Sequence, residues 1–212
     1  RLIFGSPAHK RQKDLELIWH PCSQMKDYET LPPIVIDHAK DCYLYDVDGK
    51  EYIDIISSWW CNLLGHCHPK VNEAIKSQLD TLEHVIFANF SHRPAITLAE
   101  RLKEVVPEGL TRFHFSDNGS GAVECALKMA FQYHYQTGHP ERQKFLCLSE
   151  SYHGETIGAL SVGSMDLFAE IYKPMLMDQT IHTQGPDCYR CTYGKTRETC
   201  SCECFEHMEK DF

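Results

Sequence analysis

The sequence lacks both a long hydrophobic run and an excess of positive charge. No apolar stretch reaches the roughly 18 residues that a membrane-spanning helix needs, so no membrane partner is predicted. Lysine and arginine together number 21 and aspartate and glutamate 30, which leaves a net charge of 21 − 30 = −9. Because nucleic-acid-binding domains carry a basic surface, this balance argues against a nucleic-acid partner.

The short motifs of several enzyme classes are also missing. The chain contains no G-x-S-x-G serine elbow, no H-E-x-x-H zinc helix and no basic patch interleaved with aromatic residues. The opening residues lack the apolar core of a signal peptide. Since the chain starts with arginine and stops in a charged stretch, we expect a piece of a longer, cytoplasmic protein.

Cysteine, in contrast, is abundant, with eleven residues. The number is odd and no signal peptide is present, so a secreted disulfide framework is not predicted. Most of the six scattered cysteines are expected to be small buried side chains in a reducing compartment. These six are Cys22, Cys42, Cys61, Cys67, Cys125 and Cys147.

The first half of the chain predicts a hairpin followed by two helices. Two strand-like runs flank Asp48–Gly49, a dipeptide typical of a tight turn. Apolar residues then recur at helical spacing after Pro69, and a second such stripe ends at Pro107. The predicted elements are strands at 42–46 and 51–55 and helices at 69–82 and 94–106.

The second half predicts an alternation of strands and helices. A turn-rich loop separates a strand-like run from a long helical stripe, and a short apolar run follows. Because strand, helix and strand in this order begin a βαβ unit, we expect an α/β fold with a mainly parallel sheet and helices on both faces. The predicted elements are strands at 112–116 and 145–148 and a helix at 120–137.

The loop Ser116-Asp117-Asn118-Gly119-Ser120-Gly121 is a candidate phosphate cradle. It precedes a predicted helix, where backbone N–H groups are unpaired and the helix dipole is positive. Its glycines let the backbone approach an anion, and Ser120 adds a hydroxyl donor. The alternative is an ordinary strand-to-helix turn capped by Asp or Ser.

Two aromatic motifs are further candidates. Tyr152-His153-Gly154 follows the strand at 145–148, where ligands of open α/β sheets bind and a ring can stack on a flat cofactor. The alternative is a loop tyrosine that packs on the core. Trp59 and Trp60 are costly to leave in water, so they either fill a core or line a pocket.

The remaining five cysteines form a cluster in a loop-like insert at 186–206. Its C-x2-C pair is half of a structural zinc site, and the C-x-C-x-C that follows can supply two more thiolates. A zinc site is therefore one hypothesis, and a loop that tolerates reduced cysteines is the second. The candidate ligands are Cys188, Cys191, Cys200, Cys202 and Cys204.

Together these motifs resemble the class III pyridoxal-phosphate aminotransferases, and within them the diaminopelargonic acid synthases. Their order and spacing match over about residues 14 to 180. The stretches that carry the resemblance are Trp19-His20-Pro21, SSWW at 57–60, HP at 68–69, FxxFSHxPA at 87–95, SDNGSGAVECALKMA at 116–130 and YHGET at 152–156.

The resemblance implies a fold type I transferase in two parts. Residues 1–93 would belong to the small domain and residues 94–212 would begin the large, mainly parallel-sheet domain that binds pyridoxal 5'-phosphate. Gly119 and Ser120 would then bind the cofactor phosphate. Tyr152 would stack on the pyridine ring, with His153 and Gly154 completing that turn.

The resemblance also implies a substrate pocket and partners. Trp59 and Trp60 would line the pocket, and Cys22 stands where better-known members have an aromatic residue that touches the substrate. Members of the family act as homodimers on small molecules, with S-adenosylmethionine or lysine as amino donor. The cysteine-rich insert is not part of the minimal family pattern.

The catalytic lysine of the family has no counterpart that we can assign here. Transamination needs a lysine that holds the cofactor and moves a proton, and neither Lys195 nor Lys210 lies in a fitting motif. We expect this chain alone to be inactive, to expose apolar surface and to aggregate.

The implied function is transamination of 8-amino-7-oxononanoate to 7,8-diaminononanoate in biotin biosynthesis. A second hypothesis is a different class III ω-aminotransferase, acting on ornithine or 4-aminobutyrate. The tandem tryptophans argue against it, because a short charged substrate would need an arginine or glutamate in the pocket wall. A metal-binding module centred on the cysteine cluster is a third hypothesis, and an inactive half that only dimerises is a fourth.

Overall fold

The structure, a computed structural model, describes residues 5–164 and 166–211. The chain forms two compact units, Arg1–Ile96 and Thr97–Phe212, and each is described by itself. None of the helices in the described ranges is both long enough and apolar enough to span a bilayer.

The first unit opens with a helix that the sequence patterns did not reveal. Helix α1, Pro7–Leu17, begins with proline in its first turn, and the Ser6 hydroxyl accepts a hydrogen bond from the His9 N–H at 3.3 Å. Besides Pro7, only Ala8, Leu15 and Leu17 of its 11 residues are apolar, too few to form the stripe that indicates a helix. A short 3-10 helix, Met25–Glu29, follows.

A three-stranded antiparallel sheet forms the centre of the first unit. Its strands are β1 (Ile36–Lys40), β2 (Tyr43–Asp46) and β3 (Glu51–Ile53), in that order. The β2–β3 pair confirms the predicted hairpin, with Tyr43 opposite Ile53. Strand β1 was missed, because its residues do not alternate between apolar and polar.

The carboxylate of Asp46 stabilises the tight turn of this hairpin. It accepts hydrogen bonds from the N–H groups of Asp48 and Lys50, both at 2.9 Å, and from the Tyr52 hydroxyl at 2.9 Å. The Lys50 N–H is the main cause of the lowered pKa of Asp46. Gly49, at φ 83°, provides the left-handed position that such a turn requires.

Both helices predicted for the first half are present. Helix α2, Pro69–Leu79, starts at its proline as expected, and helix α3 extends over Arg93–Lys103. The prediction placed the end of α3 at 106. Beyond Lys103 the backbone instead forms hydrogen bonds of the 3-10 type, from Glu104 N to Arg101 O and from Val105 N to Leu102 O. The α-helix ends before Pro107 because a proline disfavours helical geometry at the residue that precedes it.

The second unit is built on one long helix and a parallel strand pair. Helix α4, Gly119–Gln136, agrees with the prediction within one residue at each end and is followed by Gly138 at φ 87°. Strand β4, Phe145–Leu148, is present as predicted. It pairs in parallel with β5, Thr180–Thr183, which the sequence did not indicate.

The remaining helices of the second unit are short. They are α5 (Ile157–Val162), α6 (Asp166–Ala169), the 3-10 helix Glu170–Met175 and α7 (Glu203–Asp211). Helix α5 contributes most of the core, which consists of Cys147, Ala159, Leu160, Val162 and Ala169. This helix lies between β4 and β5 in the chain, so a βαβ unit is present, but it is not the one predicted for residues 112–148.

The predicted strand at 112–116 is not formed. These residues have no regular secondary structure and, within the described part of the chain, no ladder hydrogen bonds to another strand. An alternating pattern makes a segment suitable for a sheet, but a strand forms only where another strand pairs with it.

The expectation for the scattered cysteines was wrong. Only Cys147 is buried, with 7% exposure, and burial raises the pKa of its thiol. Cys125 is half-buried, and the other four are exposed in the described structure. The reason is that the exposed ones lie outside the regular strands and helices, where little of the chain covers them.

Candidate functional site

The start of α4 provides two backbone donors and one hydroxyl. The helix is capped by Asn118, whose Oδ1 accepts from the Gly121 N–H at 2.7 Å, rather than by Asp or Ser. The first N–H groups of a helix have no partner within it. Among the described residues, the N–H groups of Gly119 and Ser120 and the Ser120 hydroxyl have no hydrogen-bond partner.

Gly154 lies directly against Ser120. A Cβ at Gly154 would lie 2.8 Å from the Ser120 Cβ and 3.0 Å from its Cα, so no side chain fits there. Its φ of 119° is also a conformation that residues with a Cβ avoid. The structure thus brings together two motifs that lie 34 residues apart (154 − 120) in the sequence.

The rest of the Tyr152-His153-Gly154 motif is exposed. Tyr152 has 53% of its surface exposed, and its hydroxyl donates to Glu155 Oε1 at 3.0 Å. His153 is exposed as well. The Tyr152 ring is therefore not buried in the core of this unit, and a flat ligand can reach it.

Glu124, which the sequence patterns did not single out, links helix α4 to helix α5. It lies on α4, and its Oε1 accepts hydrogen bonds from the Gly158 N–H at 2.8 Å and the Ala159 N–H at 3.3 Å. These are donors in the first turn of α5, where a negative charge is favourable. Glu124 therefore fixes the start of α5 against the helix that carries Gly119 and Ser120.

This arrangement fits a phosphate group. A Cβ added at Gly119 would meet nothing within 4 Å, so an anion can approach the backbone from that side. Two N–H groups and one hydroxyl lie at the positive end of this 18-residue helix. We conclude that the predicted phosphate cradle has the donors it needs.

The tandem tryptophans lie in the first unit and do not fill its core. Trp59 and Trp60 are 63% and 76% exposed, and their rings contact each other at 5.7 Å between centroids. They form part of a single helical turn, Ser57–Trp60, whose backbone is left-handed. An exposed aromatic pair is a surface that can bind an apolar ligand.

Cys22 is exposed and has a left-handed φ of 52°. It follows Trp19, which is 86% exposed, and His20, whose Nε2 lies 2.7 Å from Asp14 Oδ2. The His20 ring also contacts the edge of Tyr28 at 5.1 Å. The segment around Cys22 is therefore fixed on both sides while the thiol remains accessible.

The prediction of a zinc site in the cysteine insert is not supported. The described residues contain no group of three or more His, Cys, Asp or Glu side chains placed to hold a metal ion. Lys195 lines the same cavity as the cysteines, and its ammonium lies 2.9 Å from Glu203, whose hydrogen bond is the largest cause of its raised pKa.

The two charged groups of this insert stabilise each other. The hydrogen bond from Lys195 is the main cause that lowers the pKa of Glu203 to about 2. Nearby, the Cys200 thiol is the main cause of the raised pKa of Cys202. The insert thus contains an ion pair beside its thiols.

The chain is similar to known proteins over most of its length. Residues 24–212 match the family described as Aminotransferase class-III. The chain is 42% identical over 201 residues to the adenosylmethionine-8-amino-7-oxononanoate aminotransferase of Geobacter sulfurreducens, which covers 94% of this chain and 44% of that protein. The enzyme of the same name from Helicobacter pylori is 48% identical over 165 residues, or 77% and 37% of the two chains.

The chain belongs to the class III aminotransferases. Its structure superposes on the adenosylmethionine-8-amino-7-oxononanoate aminotransferase from Methanocaldococcus jannaschii with a TM-score of 0.82 and 40% identity, over 87% of this chain and 42% of the other. An omega-transaminase from Thermomicrobium roseum gives a TM-score of 0.88 at 29% identity, over 98% and 46%. This class III chain therefore has the α/β fold of the fold type I transferases, for which pyridoxal phosphate is the expected cofactor.

The class III chain spans less than half of the length of these relatives. Of the predicted site residues, the structure brings Gly119, Ser120 and Gly154 together in the second unit. Trp59 and Trp60 contact each other in the first unit. Cys22 lies in the same unit, in a separate segment.

Proposed function

We propose that the full-length protein transfers an amino group to 8-amino-7-oxononanoate, giving 7,8-diaminononanoate, a step of biotin biosynthesis. The observation that carries this proposal is the contact of Gly154 with Ser120, which joins the two cofactor motifs of the class III family. The names of the relatives at 42% and 48% identity support the substrate.

In this proposal the residues of the second unit bind the cofactor. The N–H groups of Gly119 and Ser120 and the Ser120 hydroxyl donate to the phosphate, and the exposed ring of Tyr152 stacks on the pyridine ring. His153 and Gly154 complete the turn that holds Tyr152. When bound, pyridoxal phosphate supplies the electron sink that lets an amino group move between carbon skeletons.

In this proposal Trp59 and Trp60 bind the apolar chain of 8-amino-7-oxononanoate. Their exposure and their contact at 62° between ring planes support a hydrophobic wall. Cys22 would contribute to the same pocket. S-adenosylmethionine is the donor that the names of the relatives support, and lysine is the competitor to be tested against it.

We further propose a homodimer in the cytoplasm. Large apolar side chains are exposed in both units, including Leu63 at 90% and Ile171 at 85%, which supports a surface that is covered in the assembled protein. The eleven cysteines are free in the described structure, which supports a reducing compartment.

The cofactor site is tested by removing one hydroxyl. Ser120→Ala in the full-length protein deletes a proposed phosphate donor, while the control Ser116→Ala deletes a hydroxyl that donates to Asp117 within the same loop. We expect S120A to weaken pyridoxal phosphate binding by about tenfold, because a hydrogen bond to a charged group is lost. Equal affinities of S120A and S116A, measured by absorbance titration, would contradict the proposed role.

A further inference from the structure

The turn at Ser57–Trp60 has a left-handed backbone throughout. The φ angles of its four residues are 48°, 47°, 67° and 66°, and none of the four is glycine. Residues with a Cβ avoid this region because the Cβ comes too close to the next carbonyl oxygen. A run of four such residues persists only where surrounding groups hold it in place.

Asp54 provides much of this support. Its side chain is only 5% exposed. The Ser58 N–H donates to Oδ1 at 2.9 Å and the Ser58 hydroxyl to Oδ2 at 2.7 Å. These two bonds, followed by one from His66, lower the pKa of Asp54 to about 2. The carboxyl is therefore ionised at neutral pH and acts only as an acceptor.

His66 holds the same carboxylate from the other side of the loop. Its Nε2 lies 2.8 Å from Asp54 Oδ2, and since an ionised carboxylate only accepts, this nitrogen donates. The backbone of His66 is paired with Asp41 through hydrogen bonds of 2.7 and 3.1 Å. The Asp54 N–H in turn donates to Cys42 O at 2.9 Å. Asp54 thus connects the turn to the sheet.

Packing does not determine the direction of the tryptophan rings. Trp59 and Trp60 are largely exposed, and among the described residues the only aromatic ring that each contacts is that of its neighbour. Their direction is therefore determined by the backbone of the turn.

We propose that Asp54 is a positioning residue, which holds the left-handed turn and thereby sets the relative orientation of the Trp59 and Trp60 rings. The consequence for substrate binding rests on the proposed function, whereas the consequence for the rings does not. His66 and Ser58 act with Asp54 as the donors of the arrangement.

The test compares Asp54→Asn with Asp46→Asn in the full-length protein. Asp46 is a matched control, because it too accepts three hydrogen bonds but holds a turn without tryptophan. Two indole rings in contact give an exciton couplet in circular dichroism, and Trp59→Phe identifies its band. We expect D54N to lose about half of the couplet or more, because one of two acceptor oxygens is removed, and D46N to retain it.

Steady-state kinetics provide the second readout. We expect D54N to raise the KM for the amino acceptor by about tenfold with kcat changed by less than about twofold, as for a loss of uniform binding. A folded D54N with an intact couplet overturns the proposal. A reduced couplet with unchanged KM supports the positioning of the rings and instead overturns the proposed role of the tryptophans in substrate binding.

A second variant tests the proposal if the D54N protein does not fold. Ser58→Ala removes only the hydroxyl bond to Oδ2 and leaves the backbone N–H bond to Oδ1. We expect a smaller loss of the couplet in the same direction. An S58A protein with the couplet of the parent overturns the proposal.

Discussion

At the scale of single residues, glycine at 154 is required by two independent features. Its φ is 119°, and a Cβ there would overlap Ser120. Gly138 is a useful comparison, because it also has a positive φ, 87°, but a Cβ there would meet nothing within 4 Å. A side chain at Gly138 would introduce backbone strain alone, whereas a side chain at Gly154 would introduce both backbone strain and steric overlap with Ser120.

We therefore predict different effects for Gly154→Ala and Gly138→Ala in the full-length protein. Both should lower the free energy of unfolding by about 1–2 kcal/mol through backbone strain. Only G154A should also weaken the binding of pyridoxal phosphate, measured by absorbance titration, because it displaces Ser120. Parent-like affinity in a folded G154A would show that the contact with Ser120 is unrelated to the cofactor.

Asp54 gives a prediction for pH. Its pKa in the folded protein is about 2, below the ordinary value of 3.8, so its contribution to stability is complete above about pH 4 and is lost as pH falls towards 2. The thermal unfolding midpoint should therefore fall less steeply in Asp54→Asn than in the parent between about pH 4 and pH 2. Parallel curves for the two proteins would contradict the lowered pKa.

The sequence indicated some of the candidate site residues and missed others. Gly119, Ser120 and Tyr152 were singled out because their motifs lie at a helix start and after a strand. Asp54 and Glu124 were missed, since their partners lie in other segments and no local pattern shows a carboxylate that accepts distant hydrogen bonds. For Glu124 the partners are 34 and 35 residues away.

At the scale of elements, the apolar periodicity predicted α2, α3 and α4, and turn chemistry predicted the β2–β3 hairpin. Periodicity failed for α1, which has too few apolar residues to form a stripe. It also failed at 112–116, where a strand-like pattern has no paired neighbour. A pattern reports which face of an element can be buried, whereas strand formation depends on a partner elsewhere.

The contact between α4 and α5 depends on the side chain of Glu124. Glu124→Ala removes a carboxylate that accepts two N–H groups of α5, and we expect a loss of about 1–3 kcal/mol in the free energy of unfolding. Glu124→Gln is the matched control, because it keeps one acceptor and the side-chain length. Hydrogen exchange should show reduced protection of residues 157–162 in E124A, with E124Q between E124A and the parent.

The outcome that would contradict this role is equal protection of α5 in E124A and the parent. Such a result would mean that the burial of Ala159, Leu160 and Val162 alone holds the helix in place.

The cysteine insert yields a prediction about metal. Because Lys195 and Glu203 form an ion pair among the thiols, we expect the purified full-length protein to contain far less than one equivalent of zinc. Incubation with EDTA should leave the thermal midpoint unchanged, in contrast to a structural zinc site, where chelation causes unfolding. One equivalent of zinc by elemental analysis would contradict the described geometry.

At the scale of the whole molecule, the family was predicted by the sequence resemblance and not by any single local pattern. The motifs between residues 14 and 180 implied the class III family, which the match over residues 24–212 confirms. No composition or periodicity argument could have chosen the substrate. The pocket of an aminotransferase is formed by residues from distant segments, and a chain that spans less than half of its relatives contains only some of them.

Two features of the whole chain bear on what it can do by itself. Its large apolar side chains are widely exposed, and no lysine in it lies in a motif that fits the catalytic role. We expect the 212-residue chain alone to aggregate and to lack transaminase activity.

An amino-transfer assay on the full-length protein tests the proposed function. With pyridoxal phosphate and S-adenosylmethionine, or with lysine in a parallel reaction, we expect formation of 7,8-diaminononanoate from 8-amino-7-oxononanoate, detected by mass spectrometry. Ornithine and 4-aminobutyrate should be poor donors in the same assay. No diaminononanoate with either donor, together with rapid turnover of ornithine or 4-aminobutyrate, would contradict the proposed function and identify a different class III aminotransferase.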